Sequence, residues 1–193
     1  MKENNAARKD IITFLQGFLK DPGHVGYIFP SSRFLERRLV KSANIESAQC
    51  VVELGAGTGG TTKAILNSLP PEGNLLAIEN MQDFIPYLEA IQDPRLKIFQ
   101  DDALHLGSGI SSKNLPSPDT VISGIPFSTM GREHGIKVLQ KVKRELRPQG
   151  LFVAYQFRDR VSKLGNEIFG TPRVNLELLN FPPMRVYIWK KNA

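Results

Sequence analysis

Cysteine is nearly absent from this chain, and long apolar runs are missing altogether. Its 193 residues include one cysteine, Cys50. A single thiol cannot form an internal disulfide and argues against a cysteine-rich zinc cluster, so we expect no metal site and a reducing compartment. No apolar stretch approaches the roughly 20 residues that span a bilayer, and no charged-then-apolar signal segment opens the chain. These absences predict a cytoplasmic protein without a membrane-spanning helix.

The remaining composition is that of a folded, basic domain. Hydrophobic residues make up 41% and charged residues 23% of the chain, as in ordinary globular proteins. A chain of this length is expected to form one domain with a sizeable core. The formal net charge of +6 favours an anionic partner, either nucleic acid or an acidic membrane surface, and a solvated basic face is the alternative.

A glycine-rich stretch at residues 50–60 organises the rest of the chain. It reads Cys-Val-Val-Glu-Leu-Gly-Ala-Gly-Thr-Gly-Gly, and residues 61–69 then have a helical pattern. Nucleotide-like cofactors bind at such a strand–turn–helix passage, because glycines adopt backbone angles closed to other residues and leave the backbone open to a ligand. No Gly-Lys-Ser/Thr follows, which excludes a nucleoside-triphosphate P-loop.

Two kinds of cofactor fit the spacing of this loop. A dinucleotide site needs Gly-x-Gly-x-x-Gly, which Gly55, Gly57 and Gly60 satisfy, and an acid after the second strand, which Glu79 provides. Glu53 favours the other cofactor, because a carboxylate beside a phosphate gains nothing, whereas S-adenosylmethionine carries an ammonium and a sulfonium. Residues 53–59 also resemble the first motif of S-adenosylmethionine-dependent methyltransferases. Glu79 would then bind the two ribose hydroxyls.

The other segments predict an alternating α/β chain. Strands are expected at 75–78, 96–99, 120–122 and 151–157, helices at 81–91 and 132–147, and a loop at 107–119. Residues 173–180 and 186–189, joined by a proline turn, predict a hairpin with one antiparallel strand.

Two further helices are expected before the glycine loop. Residues 5–20 have an amphipathic pattern that includes Ile11, Phe14, Leu15 and Phe18, with basic residues toward the other side. That helix either packs across the fold or lies on an anionic membrane surface. A second helix is expected at 33–40. Its capping residues, Ser31 and Ser32, are placed to close over the methionine end of the cofactor.

Five stretches together resemble bacterial phospholipid N-methyltransferases, which are membrane-associating enzymes that convert phosphatidylethanolamine toward phosphatidylcholine. They are 30–33 (Pro-Ser-Ser-Arg), 53–59, 123–127 (Ser-Gly-Ile-Pro-Phe), 156–157 (Gln-Phe) and 180–183 (Asn-Phe-Pro-Pro). The resemblance implies an α/β, Rossmann-like class I methyltransferase fold. Its seven-stranded sheet would be mostly parallel, with one antiparallel hairpin strand and N-terminal amphipathic helices added. It also implies a single domain, 1–193, with a membrane- or substrate-facing extension at 1–40 and an S-adenosylmethionine-binding core at 41–193.

The resemblance also assigns roles to residues. S-adenosylmethionine is the expected cofactor and S-adenosylhomocysteine the product. An acid such as Asp102, directly before a small residue, would meet the adenine amino group. Three aromatic residues, Tyr27, Phe127 and Tyr155, are predicted to line an apolar acceptor pocket that lowers the pKa of the attacking amine. The predicted cofactor contacts are Ser31, Ser32, Glu53, Gly55, Ala56, Gly57, Thr58, Gly59, Glu79, Asn80, Asp102, Ala103, Ser123, Gly124 and Ile125.

The ribosomal RNA adenine dimethyltransferase family is similar through the same loop and the fourth strand. Its Asn-Leu-Pro-Tyr-like signature uses the asparagine on the adenine amino group, but Gly124 and Phe127 replace the asparagine and the tyrosine here. We therefore expect an anionic phospholipid surface as partner and phosphatidylethanolamine as substrate, with peripheral association at the inner face of the cytoplasmic membrane. Methylation of RNA and cofactor binding without catalysis are the alternatives.

Overall fold

The structure, a computed structural model, describes residues 31–192. The predicted membrane helix, with Ile11, Phe14, Leu15 and Phe18, lies outside the described residues, as does Tyr27. None of the described helices is both long enough and apolar enough to cross a bilayer.

Strands and helices alternate through most of the described chain. The strands are β1 (Cys50–Leu54), β2 (Asn74–Glu79), β3 (Leu96–Gln100), β4 (Thr120–Ser123), β5 (Leu151–Gln156), β6 (Arg173–Glu177) and β7 (Met184–Lys190). The helices are α1 (Arg33–Ser42), α2 (Gly60–Ser68), α3 (Ile85–Glu89), α4 (Leu106–Ser112), α5 (Arg132–Glu145) and α6 (Arg160–Phe169).

All seven strands form one sheet in the order β3-β2-β1-β4-β5-β7-β6. Only β7 runs against the others, pairing antiparallel with both β5 and β6. The chain leaves β1 toward β2 on one side and later returns to β4 on the other, so a crevice opens beyond the carboxyl ends of β1 and β4. The predicted Rossmann-like fold, with its antiparallel hairpin strand, is confirmed.

The sheet separates two apolar layers, as the alternation of side chains along each strand requires. Val52 and Leu54 of β1 pack with α4, α5 and α6, whereas Val51 packs with α1 and α2. Leu35 and Leu39 of α1 are fully buried in the second layer. The predicted division of the chain at residue 40 therefore falls inside a helix that belongs to the core.

Two predictions about local structure were wrong or incomplete. The segment 107–119, expected to be a loop, contains most of α4, because Leu106 and Ile110 are buried in the core. Its Gly109 lies so close to β3 that a Cβ would approach Phe99 to 2.9 Å, so tertiary packing outweighs the poor helix propensity of glycine and serine here. The sequence analysis also missed α6, which buries Val161 and Leu164.

Candidate active site

A large cavity lined by described residues opens at the carboxyl ends of β1, β2, β4 and β5, where the sheet topology predicts a ligand site. Its volume is about 870 Å³, within the range of small-molecule sites in proteins. The loops after these four strands line it, together with the start of α1 and residues of the β6–β7 connection.

The glycine loop after β1 forms the floor of the cavity. Gly55, Gly57 and Gly59 have positive φ angles of 77°, 55° and 82°, which side chains rarely tolerate. A Cβ at Gly57 would meet no atom within 4 Å, whereas one at Gly55 would approach Ile125 to 3.3 Å. Since Gly57 lines the cavity, a side chain there would occupy ligand space.

Glu79 fixes the next loop against this floor. One carboxylate oxygen, Oε2, accepts a hydrogen bond from Gly57 N at 2.8 Å, and Oε1 accepts one from Met81 N at 2.9 Å. The side chain is buried yet lines the cavity. Each oxygen has a second lone pair, so the carboxylate is held in place with acceptor capacity left for a ligand.

Asp101 and Asp102 both line the cavity, at the end of β3. Asp102 caps the following turn by accepting from Leu104 N at 2.8 Å, and His134 Nε2 lies 3.5 Å from its Oδ1. Asp101 is engaged by His105, whose hydrogen bond holds the pKa of Asp101 below its usual value. Asp102 thus faces His134, and its contact with an adenine amino group stays a prediction.

Glu53 lies behind the glycine loop and is 1% exposed. Its Oε2 accepts a 2.6 Å hydrogen bond from the Thr62 hydroxyl, and its Oε1 has no partner among the described residues. Burial, together with the nearby charge of Glu79, raises the pKa of Glu53 to about 8, although the bond from Thr62 opposes the shift. An added positive charge nearby would favour the carboxylate form.

Tyr155 closes the cavity on the side of β4 and β5. Its hydroxyl lies 3.4 Å from the Thr61 hydroxyl, which in turn lies 3.4 Å from the Ser31 hydroxyl. Burial and the charge of Glu53 raise the pKa of Tyr155 to about 12, so the phenol is neutral at pH 7. A Cβ built at Gly124 would lie 2.5 Å from the Tyr155 hydroxyl, so a side chain at position 124 would force the Tyr155 ring to move.

Gln156 presents a buried acceptor to the same part of the cavity. Its Nε2 donates a short hydrogen bond to the carbonyl of Ile125, which fixes the orientation of the amide. The other amide atom, Oε1, is buried without a partner among residues 31–192, and Gln156 is 5% exposed. A buried polar atom is normally satisfied, so the unpaired Oε1 of this cavity-lining residue marks a candidate contact for a ligand N–H.

Most predicted site residues come together at this cavity. The lining includes Ser31, Gly55, Ala56, Gly57, Thr58, Glu79, Asn80, Asp102, Ala103, Gly124, Ile125 and Tyr155.

Five predicted residues do not line the cavity. Ser32 caps α1 by accepting from Leu35 N, and Gly59 is the N-cap residue of α2. Ser123 is fully buried, and Glu53 lies behind the loop. Phe127, expected in the acceptor pocket, is fully buried in the apolar core, because the chain after β4 turns inward at this residue.

The sequence analysis missed several lining residues, among them Glu36 of α1. Burial raises the pKa of Glu36 above its usual value. Its signal in the sequence, an acid one turn after the predicted cap, is too common to single it out. The other missed side chains with polar or aromatic character are Thr61, Phe84, Asp101, Ser128, Thr129, His134, Gln156, Phe157, Arg158 and Phe181.

The charges of the lining distinguish between the two cofactors left open by the sequence. Glu36, Glu79, Asp101 and Asp102 face the cavity, against one arginine, Arg158, although the whole chain carries +6. An acidic lining fits a cationic ligand and disfavours the pyrophosphate of a dinucleotide. The glycine floor and Glu79 fit the nucleoside of S-adenosylmethionine. Fold and site thus define a Rossmann-like S-adenosylmethionine-dependent methyltransferase.

Comparison with known proteins narrows this class. The family model of the ribosomal RNA adenine dimethylases matches residues 13–127, more than half of the chain. The protein belongs to this family.

Individual relatives within and around the family differ in substrate. The chain is 31% identical over 146 residues to the ornithine lipid N-methyltransferase of Singulisphaera acidiphila, covering 75% of this chain and 76% of that protein. It is 28% identical over 108 residues to ribosomal RNA small subunit methyltransferase A of Thermotoga maritima, covering 56% of this chain but only 36% of that protein.

Among solved structures, the O-methyltransferase TomG of Streptomyces achromogenes, in complex with SAM, shares the fold. The TM-score is 0.65 at 15% identity, covering 84% of this chain and 81% of that one.

Proposed function

We propose that this enzyme transfers a methyl group from S-adenosylmethionine to the amine of a membrane lipid headgroup. Phosphatidylethanolamine and its partly methylated forms are the proposed acceptors, leading toward phosphatidylcholine. The substrate, unlike the methyltransferase class, is our inference from the acceptor side of the cavity.

The observation that carries the proposal is the position of the Tyr155 hydroxyl in the space that a side chain at position 124 would occupy. In the adenine-methylating relatives an asparagine at the position of Gly124 handles the adenine amino group. Here the Tyr155 hydroxyl fills that space, since a Cβ at position 124 would lie 2.5 Å from it. Phe127, which replaces the tyrosine of that signature, is fully buried and cannot stack on a base. Both groups that would hold an adenine are therefore missing.

The mouth of the cavity supports a lipid acceptor. Phe157, Phe181, Pro182 and Met184 line it, and Phe157 and Phe181 are 48% and 86% exposed. An apolar rim of this kind suits a substrate with an acyl region next to its reacting amine. The 31% identical relative from Singulisphaera acidiphila is named for a lipid amine acceptor.

The chemistry asked of the protein is positioning and deprotonation. Bound S-adenosylmethionine supplies a methyl group already activated by the sulfonium. Alignment of the amine with that methyl can contribute about 7–11 kcal/mol of the barrier reduction. An ammonium with a pKa near 10 is only about one part in a thousand free base at pH 7. The apolar rim lowers that pKa by desolvation, the ammonium releases its proton to water, and Oε1 of Gln156 accepts a remaining N–H of the amine.

Adenine in ribosomal RNA is the second candidate acceptor. The family match and the net charge of +6 favour it. An RNA would bind along a basic surface and insert its base into the same cavity.

The test offers both acceptors to the native protein with methyl-labelled S-adenosylmethionine. One arm contains vesicles of phosphatidylethanolamine and phosphatidylglycerol, a second contains ornithine lipid in phosphatidylglycerol, and a third contains small-subunit ribosomal RNA. Thin-layer separation should show label in methylated phosphatidylethanolamine. Label in ornithine lipid alone would reassign the lipid, label in RNA alone would reassign the acceptor class, and label in none would indicate cofactor binding without catalysis.

A further inference from the structure

At the end of β6 and in the β6–β7 connection, residues 178–183, polar side chains are buried and apolar side chains are exposed. Glu177 and Asn180 are 4% and 3% exposed, whereas Leu178, Leu179 and Phe181 are 70%, 64% and 86% exposed. Loops normally place polar side chains outward, because apolar groups gain free energy by leaving water. Leu178, Leu179 and Phe181 are the three most exposed large apolar side chains among the described residues.

Hydrogen bonds hold this connection in place. Ser32 N donates to Asn180 Oδ1 at 2.8 Å, and Asn180 Nδ2 donates to the Pro182 carbonyl at 2.9 Å. Glu177 accepts from Leu179 N at 2.9 Å and pairs with Arg38 at 2.6 Å. The buried polar side chains thus fix the backbone and leave the apolar ones facing outward.

A basic helix face flanks the same connection. Helix α1 runs beside β6, since Arg38 pairs with Glu177 and Ser42 meets Asn175. Its exposed residues Arg33, Arg37 and Lys41 are four positions apart, so they lie on one face. An exposed apolar tip with adjacent positive charge is the combination that binds an anionic lipid interface.

The tip is continuous with the mouth of the cavity. Phe181 and Pro182 belong both to the connection and to the cavity lining, which also includes Gln156 and its neighbour in the chain, Phe157. A headgroup at a bilayer surface touched by the tip would therefore lie next to the buried acceptor of Gln156.

We propose that Leu178, Leu179 and Phe181 form a docking tip that inserts into an anionic bilayer and aligns the cavity mouth with the lipid headgroups. The choice of a lipid occupant rests on the proposed function. The docking surface belongs to the described part of the chain and is distinct from the helix predicted at residues 5–20.

The first experiment uses Phe181→Trp as a depth reporter. The native protein has one tryptophan, Trp189, which is 1% exposed in the core, so its emission serves as the background. With phosphatidylglycerol vesicles we expect the added indole emission to shift to shorter wavelength and to be quenched by lipids brominated on the acyl chain. Neutral phosphatidylcholine vesicles should give neither effect. An added indole that is not quenched by the brominated anionic vesicles overturns the proposal. The proposal is also overturned if the added indole is shielded from a soluble quencher in the absence of lipid. In that case a second copy or another segment of this chain covers the tip.

The second experiment measures vesicle partitioning of the double variant Leu178→Ser, Leu179→Ser. We expect its partition coefficient on phosphatidylglycerol vesicles to fall about tenfold or more, because two large apolar side chains no longer enter the bilayer. Replacing Arg33 and Arg37 by glutamine should also weaken binding and reduce its salt dependence. Val174→Ser, at the far end of β6, is the matched control for an exposed apolar side chain and should partition like the native protein.

Activity separates docking from the substrate assignment. The double variant should methylate a monomeric short-chain phosphatidylethanolamine at the native rate and lose activity only on vesicles. Unchanged partitioning, or loss of folding by circular dichroism, contradicts an exposed docking tip. If docking behaves as expected and no lipid is methylated in any arm, the tip stands and the proposed substrate fails.

Discussion

The two halves of the cavity are built in different ways. At the ends of β1, β2 and β3, acidic side chains are fixed by partners nearer in sequence, since Glu79 accepts from Met81 N two residues away and from Gly57 N 22 residues away. At the ends of β4, β5 and β7, side chains are fixed by partners far along the chain. Gln156 contacts Ile125 at a separation of 31 residues, and Ser32 contacts Asn180 at a separation of 148.

This difference separates cofactor binding from acceptor choice. The cofactor half depends on backbone geometry that glycines and two turns provide, so few residues there can change without loss of the ligand. The acceptor half depends on side chains that pack at the rim, which can change without disturbing the glycine loop. Substitutions in one half should therefore change cofactor affinity, and substitutions in the other half should change turnover of the acceptor.

Gly57→Val should remove cofactor binding. The valine side chain would enter the open cavity and strain a backbone at φ 55°. We expect S-adenosylmethionine affinity, measured by calorimetry, to fall by about 100-fold or more, equivalent to about 2.7 kcal/mol. Gly170→Val is the matched control, since Gly170 also has a positive φ of 87° and open space around it but lies outside the cavity. A folded Gly57→Val protein with native affinity would contradict the loop as cofactor floor.

Gln156→Leu should impair the acceptor half alone. The substitution removes the buried oxygen Oε1 and leaves the N–H of the substrate amine unpaired, which costs about 1–3 kcal/mol. The kcat/KM for the lipid substrate should therefore fall about 10- to 100-fold. Cofactor affinity should stay at the native value. Gln140→Leu, an exposed glutamine on α5, should change neither quantity. Equal losses of cofactor and acceptor binding would show that the two halves are not separable.

Glu79→Ala should weaken cofactor binding with the acceptor side intact. The substitution removes a charged acceptor pair and frees Gly57 N and Met81 N. Because hydrogen bonds to charged groups contribute about 1.5–3 kcal/mol, calorimetry should show affinity reduced about tenfold or more. Glu89→Ala, an exposed acid on α3, should bind normally. Unchanged affinity in the Glu79 variant would remove this residue from the cofactor site.

Glu53→Gln should flatten the pH dependence of stability. The pKa of Glu53 is raised from 4.5 to about 8 in the folded protein, so between these values the unfolded chain has released the proton and the folded protein retains it. The free energy of unfolding of the native protein therefore falls as pH rises, by up to about 1.4 kcal/mol per pH unit from this group. The variant lacks that slope.

Urea unfolding without cofactor between pH 5 and 8 measures this difference. The stability advantage of Glu53→Gln over the native protein should grow with pH. Glu46→Gln, at an exposed position, should leave the native slope unchanged. A native slope in the Glu53 variant would show that the carboxyl is ionised in the fold.

The cofactor half was predictable because its signals are local. Gly55 and Gly57 indicate a turn that needs positive φ angles, and Glu79 ends an apolar strand. Residue type and spacing were therefore enough to place these residues. The same reasoning failed at Phe127, where an aromatic residue near the end of β4 fits a ligand wall and a core equally well. Its burial depends on packing against α5 and α6, which no local pattern specifies.

The acceptor half shows the same limit. Gln156, Phe157 and Phe181 lie in stretches that resemble a known family, but nothing in their local sequence indicates that they line the same side of the cavity. The helix α4 is a similar case, because its glycines and serines indicate a loop until Phe99 of β3 is packed against Gly109.

Local sequence is enough to specify the strand–glycine loop–helix passage, the order of the strands along the chain and the acid that ends β2. These depend on backbone angles and apolar periodicity, which a few neighbouring residues fix. Only the tertiary structure decided that Tyr155 fills the space beside Gly124, that Gln156 keeps an unpaired acceptor and that Leu178, Leu179 and Phe181 face outward. Each of these depends on contacts between segments far apart in the chain, whose closeness is set by the packing of the whole sheet.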